Sequence, residues 1–166
     1  DLLLRLKGNF IWPAMWGSAF YADDLENSNL AQEMGVIIGT SHHEPMGRNH
    51  QEWIRNHEQY GNGEWDYESN QGGLDKYFRE GIERSYQTED IFTLGMRGNG
   101  DEAMGEGENI ALLEQIINKQ RKIIFEVTGR SAIETPQIWA LYKEVQDYYD
   151  KGMRVPDAVS YTHLTL

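Results

Sequence analysis

A chain of 166 residues with 39% hydrophobic content and a net charge of -12 can bury the core of one ordinary domain. Its acidity argues against a nucleic-acid partner, because binding to a phosphate backbone rests on clustered Lys and Arg. The chain has no cysteine, which excludes disulfides and thiolate metal sites. Five Trp and nine Tyr point instead to ligands that stack on rings, such as sugars, although most aromatic side chains are simply core. No signal peptide or membrane span is visible.

In chain order, residues 1–7 form a leucine-rich run that reads as the last turns of a helix closed by Gly8, so the beginning looks cut. Asn9 to Trp12 is a strand-like run stopped by Pro13 and followed by an aromatic loop with Trp16, Phe20 and Tyr21. Leu30, Ala31 and Met34 share one face of a short helix that Gly35 is placed to cap. Val36 to Gly39 is a second buried strand, opening onto Thr-Ser-His-His-Glu-Pro at 40–45. The polar stretch from Met46 to Asn70 is long enough to be a functional loop with a helical turn inside it.

Leu74, Tyr77, Phe78, Ile82 and Tyr86 repeat at three and four, the period of an amphipathic helix. A third strand, Ile91 to Met96, runs into the glycine-punctuated loop Arg97-Gly-Asn-Gly-Asp-Glu102. Asn109 can cap a helix with the stripe Leu113, Ile116, Ile117, Ile124 and Val127, ended by Gly129. Pro136 starts a fourth strand, Gln137 to Tyr142, and Glu144 opens the next helix. Four strand-loop-helix units mean an α/β fold with a parallel sheet. About half of a (β/α)8 TIM-like barrel, spanning residues 1–159, is the economical reading, with an open doubly wound sheet as its competitor. Residues 160–166 read as an artefactual or unstructured tail, with an edge strand as the alternative, and no function is placed on them.

In α/β folds the residues that meet ligands follow the carboxyl ends of strands. That criterion selects Trp12 and Trp16, then His42, then Arg97, Asp101 and Glu102, then Glu144. Each has a plainer reading. The tryptophans are more often core than sugar platforms. Arg97 is either a buried ion-pair partner of Asp101 or Glu102, or a planar fork for an acidic substrate. Asp101 and Glu144 are either a solvated loop acid and a helix first-turn acid, or a catalytic carboxyl pair. Metal binding by His42, His43 and Glu44 is disfavoured. Consecutive strand residues face opposite ways, Pro45 breaks any helix, and the residue four past His43 is Gly47 rather than a second histidine. One histidine handling a proton or a hydrogen bond fits better. Gly98-x-Gly100-x-x-Ala103 mimics a dinucleotide fingerprint but puts two carboxylates where a pyrophosphate would lie. His50 and His57 read as surface residues.

Four segments carry a resemblance: Leu-Lys-Gly-Asn-Phe-Ile-Trp-Pro-Ala-Met-Trp, Gly-Thr-Ser-His-His-Glu-Pro-Met, Gly-Met-Arg-Gly-Asn-Gly-Asp-Glu and Trp-Ala-Leu-Tyr-Lys-Glu-Val-Gln-Asp-Tyr-Tyr. Together they resemble the xylan α-1,2-glucuronidases of glycoside hydrolase family 115, from about Leu2 to Asp157. The resemblance implies a barrel-like catalytic domain within a longer chain, and removal of (4-O-methyl) glucuronic acid from glucuronoxylan or its oligosaccharides with inversion. No cofactor or metal is expected; the whole protein would be secreted or periplasmic, and a homodimer. By motif, Glu144 looks like the catalytic acid and Asp101 like the other essential carboxyl. Arg97 and His42 match polar positions of the glucuronate pocket, and Trp16 its aromatic wall. The alternatives are a non-catalytic carbohydrate-binding fragment, which would use the tryptophans alone, and a metal-dependent hydrolase built on His42.

Overall fold

The computed structural model describes residues 2–105 and 109–163. Its strands are β1 (Phe10–Ile11), β2 (Ile37–Ile38), β3 (Phe92–Thr93), β4 (Gln137–Leu141) and β5 (Val159–His163). β1 pairs with β2 in parallel, β3 with β4 and β4 with β5. A parallel bridge between Gly39 and Ile91, with Ile91 N–H donating to Ile38 O at 2.9 Å, joins the two short sheets. The strands therefore lie parallel and in sequence order, as the strand-loop-helix period requires.

The helices are α1 (Leu2–Arg5), α2 (Phe20–Asp23), α3 (Glu26–Glu33), α4 (His50–Asn56), α5 (Tyr67–Ser85), α6 (Ile110–Thr128) and α7 (Glu144–Asp150). α5 and α6 carry the core. Leu74, Tyr77, Phe78 and Ile82 of the first, and Leu113, Ile116, Ile117, Ile123 and Ile124 of the second, are buried in one cluster with strand residues Phe92, Trp139 and Leu141. Each such side chain contributes about 1.5–3 kcal/mol relative to exposure. α6 ends as its sequence predicts, with Gly129 left-handed at φ 67°.

Several local expectations are corrected. The third strand stops short of Met96 because Gly95 turns at φ +99°, and the buried Gln120 amide takes over as its partner. Gln120 accepts from Gly95 N–H and donates to Gly95 O, both at 2.8 Å. Only glycine fits there, since a Cβ would lie 2.6 Å from Trp139 Nε1. The Met46 to Asn70 stretch is more ordered than a loop. α4 begins with a capping box of Asn49 and Glu52, and α5 starts at Tyr67 with Asp66 accepting from Glu68 and Ser69 N–H. Asn109 precedes α6 but makes no side-chain cap bond. Leu30 and Met34 share a helix face, as expected, yet both are exposed. Of the tail expected to be unstructured, residues 160–163 continue β5, because an alternating Val-Ser-Tyr-Thr run can add to the open edge of β4; residues 164–166 lie outside the described residues.

At the other edge, β1 is unpaired on one side among the described residues, with Phe10, Ile11 and Trp12 between 37% and 39% exposed. An apolar edge of this kind templates association. Expressed alone, the 166 residues should aggregate or stay loosely packed. A sharp cooperative melt of a monomeric species would contradict that expectation.

Candidate active site

Arg97 sits where β3 gives way to the glycine loop, with its side chain 3% exposed. Its Nε and Nη2 donate to Glu144 Oε1 and Oε2 at 2.9 and 2.7 Å, a bidentate pair, while Nη1 donates to the Asp101 carboxylate and carbonyl. One guanidinium thus grips both carboxyl groups that the sequence singles out. Its own backbone is pinned by Trp65 Nε1–H, which donates to Arg97 O at 2.8 Å.

The loop geometry delivers Asp101. Gly98 N–H donates to Glu102 O at 2.7 Å, and a Cβ on Gly98 would collide with Ala103 O, so the turn can close only around glycine. Asp101 itself has φ 66°. On the other side of Arg97, Lys143 stands at φ 51°, ψ -124° just before α7 and its Glu144. Left-handed backbone at two non-glycine residues costs on the order of 1–3 kcal/mol each, and such positions cluster at functional sites.

Around Asp101, His42 Nε2 lies 2.9 Å from Oδ1 and Lys143 Nζ 3.6 Å from Oδ2. The His42 ring rests against Tyr142 at 4.4 Å between centroids. Burial pushes the Asp101 carboxyl up, but the hydrogen bond from Arg97, the neighbouring His42 and the Arg97 charge together outweigh it and hold the group below the usual carboxylate range.

Next to this cluster lies a layer that sequence reasoning missed. His43 and His50 pack ring to ring at 4.2 Å, with Trp65 beneath and the exposed Trp16 over them at 5.9 and 5.8 Å. His50, expected at the surface, is 2% exposed. The reason is tertiary: the Pro45–Gly47 turn folds α4 back under the 40–45 loop, a path with no periodic signal. His57 remains partly exposed. Of the other predicted residues, Trp16 joins the histidine layer. Trp12 instead covers the end of β2, where a Cβ on Gly39 would lie 2.7 Å from its Nε1. Glu102 is exposed, and it is its carbonyl that closes the turn. Lys143 and Tyr142 could have been found from their place between a strand end and Glu144.

The model of glycosyl hydrolase family 115 matches residues 1–163. The chain belongs to this family. A solved family GH115 4-O-methyl-alpha-glucuronidase, described as specific for decorated arabinogalactans, is similar with a TM-score of 0.85 and 31% identity over 96% of this chain. That match covers 21% of the other protein, so the chain spans about a fifth of its length. Among curated proteins, none matches.

Within this family 115 chain the loop before α4 also holds a buried carboxyl with an altered proton affinity. Glu44 is wholly buried, and burial pushes its carboxyl up to about 7, against the partial relief of bonds from His50 N–H at 3.1 Å and the Asn49 amide at 3.3 Å. Its unfolded counterpart ionises near 4.5, so folding stability falls as pH rises from about 4.5 to 7. His43 acts in the opposite sense: burial, then the neighbouring His50, lower it to about 3 from 6.5, so it removes stability as pH drops through that window. Glu44→Gln keeps an acceptor for His50 N–H and removes the ionisation. Melting curves should show the natural protein losing on the order of a few kcal/mol more than the variant between the two ends of the Glu44 window. Parallel pH dependences would contradict the assignment.

Proposed function

We propose that these residues form part of the catalytic domain of a glycosidase that removes (4-O-methyl) glucuronic acid α-1,2-linked to xylan, with inversion. The observation that carries the reading is the double grip of Arg97 on Asp101 and Glu144 at neighbouring strand ends, in a chain of family 115. Parallel strands in sequence order support a (β/α)8 barrel segment over residues 1–159.

Inverting hydrolysis needs a proton donor at the leaving oxygen and a base for water on the opposite face, with carboxyl groups about 6.5–9.5 Å apart. In this reading Glu144 is the acid, Asp101 belongs to the base side, and Arg97 receives the uronate. Both oxygens of Glu144 accept from Arg97 in the free protein, so the incoming uronate must take over the fork. That exchange releases Glu144 toward the leaving oxygen. His42 supplies a polar wall; Trp16, 54% exposed, supplies a face for the sugar ring.

The arabinogalactan specificity of the similar glucuronidase favours a second reading, with the same glycosyl group on a different polymer. Incubating the natural polypeptide that carries these residues with glucuronoxylan and with uronate-decorated arabinogalactan separates the two. Uronic acid released from xylan is the expected result. Release from arabinogalactan alone would move the substrate assignment, and release from neither would remove the glycosidase reading.

A further inference from the structure

We infer that His42 and Asp101 form a dyad in which the imidazole Nδ1, rather than the Asp101 carboxylate, takes the proton from the attacking water. This rests on the glycosidase reading and names the group that acts as its base.

His42 Nε2 faces Asp101 Oδ1 at 2.9 Å. An ionised carboxylate can only accept, so Nε2 carries the hydrogen and the lone pair of the neutral ring is on Nδ1. Among the described residues no group bonds Nδ1, nor is it one of the enclosed, unpartnered nitrogens. Both nitrogens of the adjacent His43 are enclosed in that way. The two histidines therefore differ in kind: His43 is sealed under Trp16, whereas His42 is 19% exposed, with its ring held against Tyr142.

Asp101 is poorly suited to accept the proton itself. Arg97 and His42 bond Oδ1, and Lys143 stands 3.6 Å from Oδ2. A carboxylate so surrounded is a weak base, and its lowered proton affinity agrees with that. It is well suited to orient an imidazole and to stabilise the imidazolium that forms, the part a buried aspartate plays in a hydrolase triad. The charged or titratable groups facing His42 are Asp101, Arg97 and Lys143 through Asp101, Tyr142 against the ring, and the neighbouring His43.

In the step itself one O–H bond of water breaks, its proton going to Nδ1 and its electron pair forming the bond from oxygen to the anomeric carbon. The glycosidic C–O bond breaks with its pair going to the leaving oxygen, which takes the proton from Glu144. Imidazolium then loses its proton to solvent and Glu144 regains one, so that one water is consumed for each glycosidic bond.

The experiment uses the natural polypeptide carrying these residues and a xylan-derived uronosyl oligosaccharide. His42→Ala should lower kcat by about 10²–10⁴-fold with KM little changed. Added imidazoles should restore the rate in proportion to their basicity, because a diffusible base then does the proton transfer. His42→Gln can still donate to Asp101 and should be as slow as the alanine variant; it also carries the comparison if the alanine variant does not fold. Near-natural kcat in His42→Gln would overturn the dyad and make His42 a positioning residue. A raised KM with kcat intact, no rescue of a folded alanine variant, or rescue indifferent to basicity would overturn it as well. If the natural protein leaves the oligosaccharide intact, the glycosidase reading falls and takes the dyad with it; an active natural protein with any of the other outcomes removes the dyad alone.

Discussion

Replacing Glu144 with alanine should reduce hydrolysis of xylan-linked glucuronate by two to four orders of magnitude, the range that a positioned general acid contributes. The carboxyl stands at the first residue of α7, and both its oxygens are engaged by Arg97, so the change removes the proton donor and one half of a buried ion pair. Leaving-group dependence separates these effects. A sugar hydroxyl is a poor leaving group and needs protonation, whereas an activated aryl group does not, so aryl glucuronides should lose far less rate. A structural defect would slow both substrates alike. Natural rates on xylan-linked glucuronate would reduce Glu144 to a helix-start acid and end the assignment.

Arg97→Ala should weaken binding of uronic acids by roughly 2–5 kcal/mol, the cost of breaking one side of a desolvated charge pair. In dissociation constants that is roughly a 30- to 5,000-fold loss. A neutral analogue that still fits should bind nearly as before, because it never used the cation. The same change leaves Asp101 and Glu144 with no guanidinium between them, so lysine is an informative second variant. A single ammonium is a point charge and cannot make a bidentate pair with Glu144 while also reaching Asp101. Calorimetric titration of both variants with glucuronate and a neutral analogue gives the contrast. Equal weakening of the two ligands would show that Arg97 is only a structural tie.

Why these residues were legible in the sequence is itself physical. An apolar run that gives way to polar residues marks a strand end, and Arg97, Asp101 and Glu144 all follow such runs, so parallel neighbours bring them together. The stripes of α5 and α6 were readable because periodicity is local. What required the structure depends on chain return. Nothing near Gly95 announces that Gln120 will clamp it from α6, and nothing in residues 45–50 announces that a tight turn buries His50 against His43. Burial misled in the other direction for α3, where the periodic Leu30 and the cap residue Met34 stay exposed. Arg97 shows the limit of weighing two readings as rivals: it pairs with Asp101 and Glu144 in the free protein, and in the proposed reading the uronate takes over the edge that Glu144 holds.

The most direct measurement of the central claim is the anomeric configuration of the sugar first released. Early-time proton NMR of hydrolysis of an α-1,2-linked glucuronosyl oligosaccharide, read before mutarotation equilibrates the product, reports it. Single displacement by water, with Glu144 donating to the leaving oxygen and the His42–Asp101 side activating the nucleophile, predicts β-glucuronic acid first. If α-glucuronic acid appears first, the sugar has passed through a second displacement, and the arrangement of acid and base described for Glu144, Asp101 and His42 is wrong.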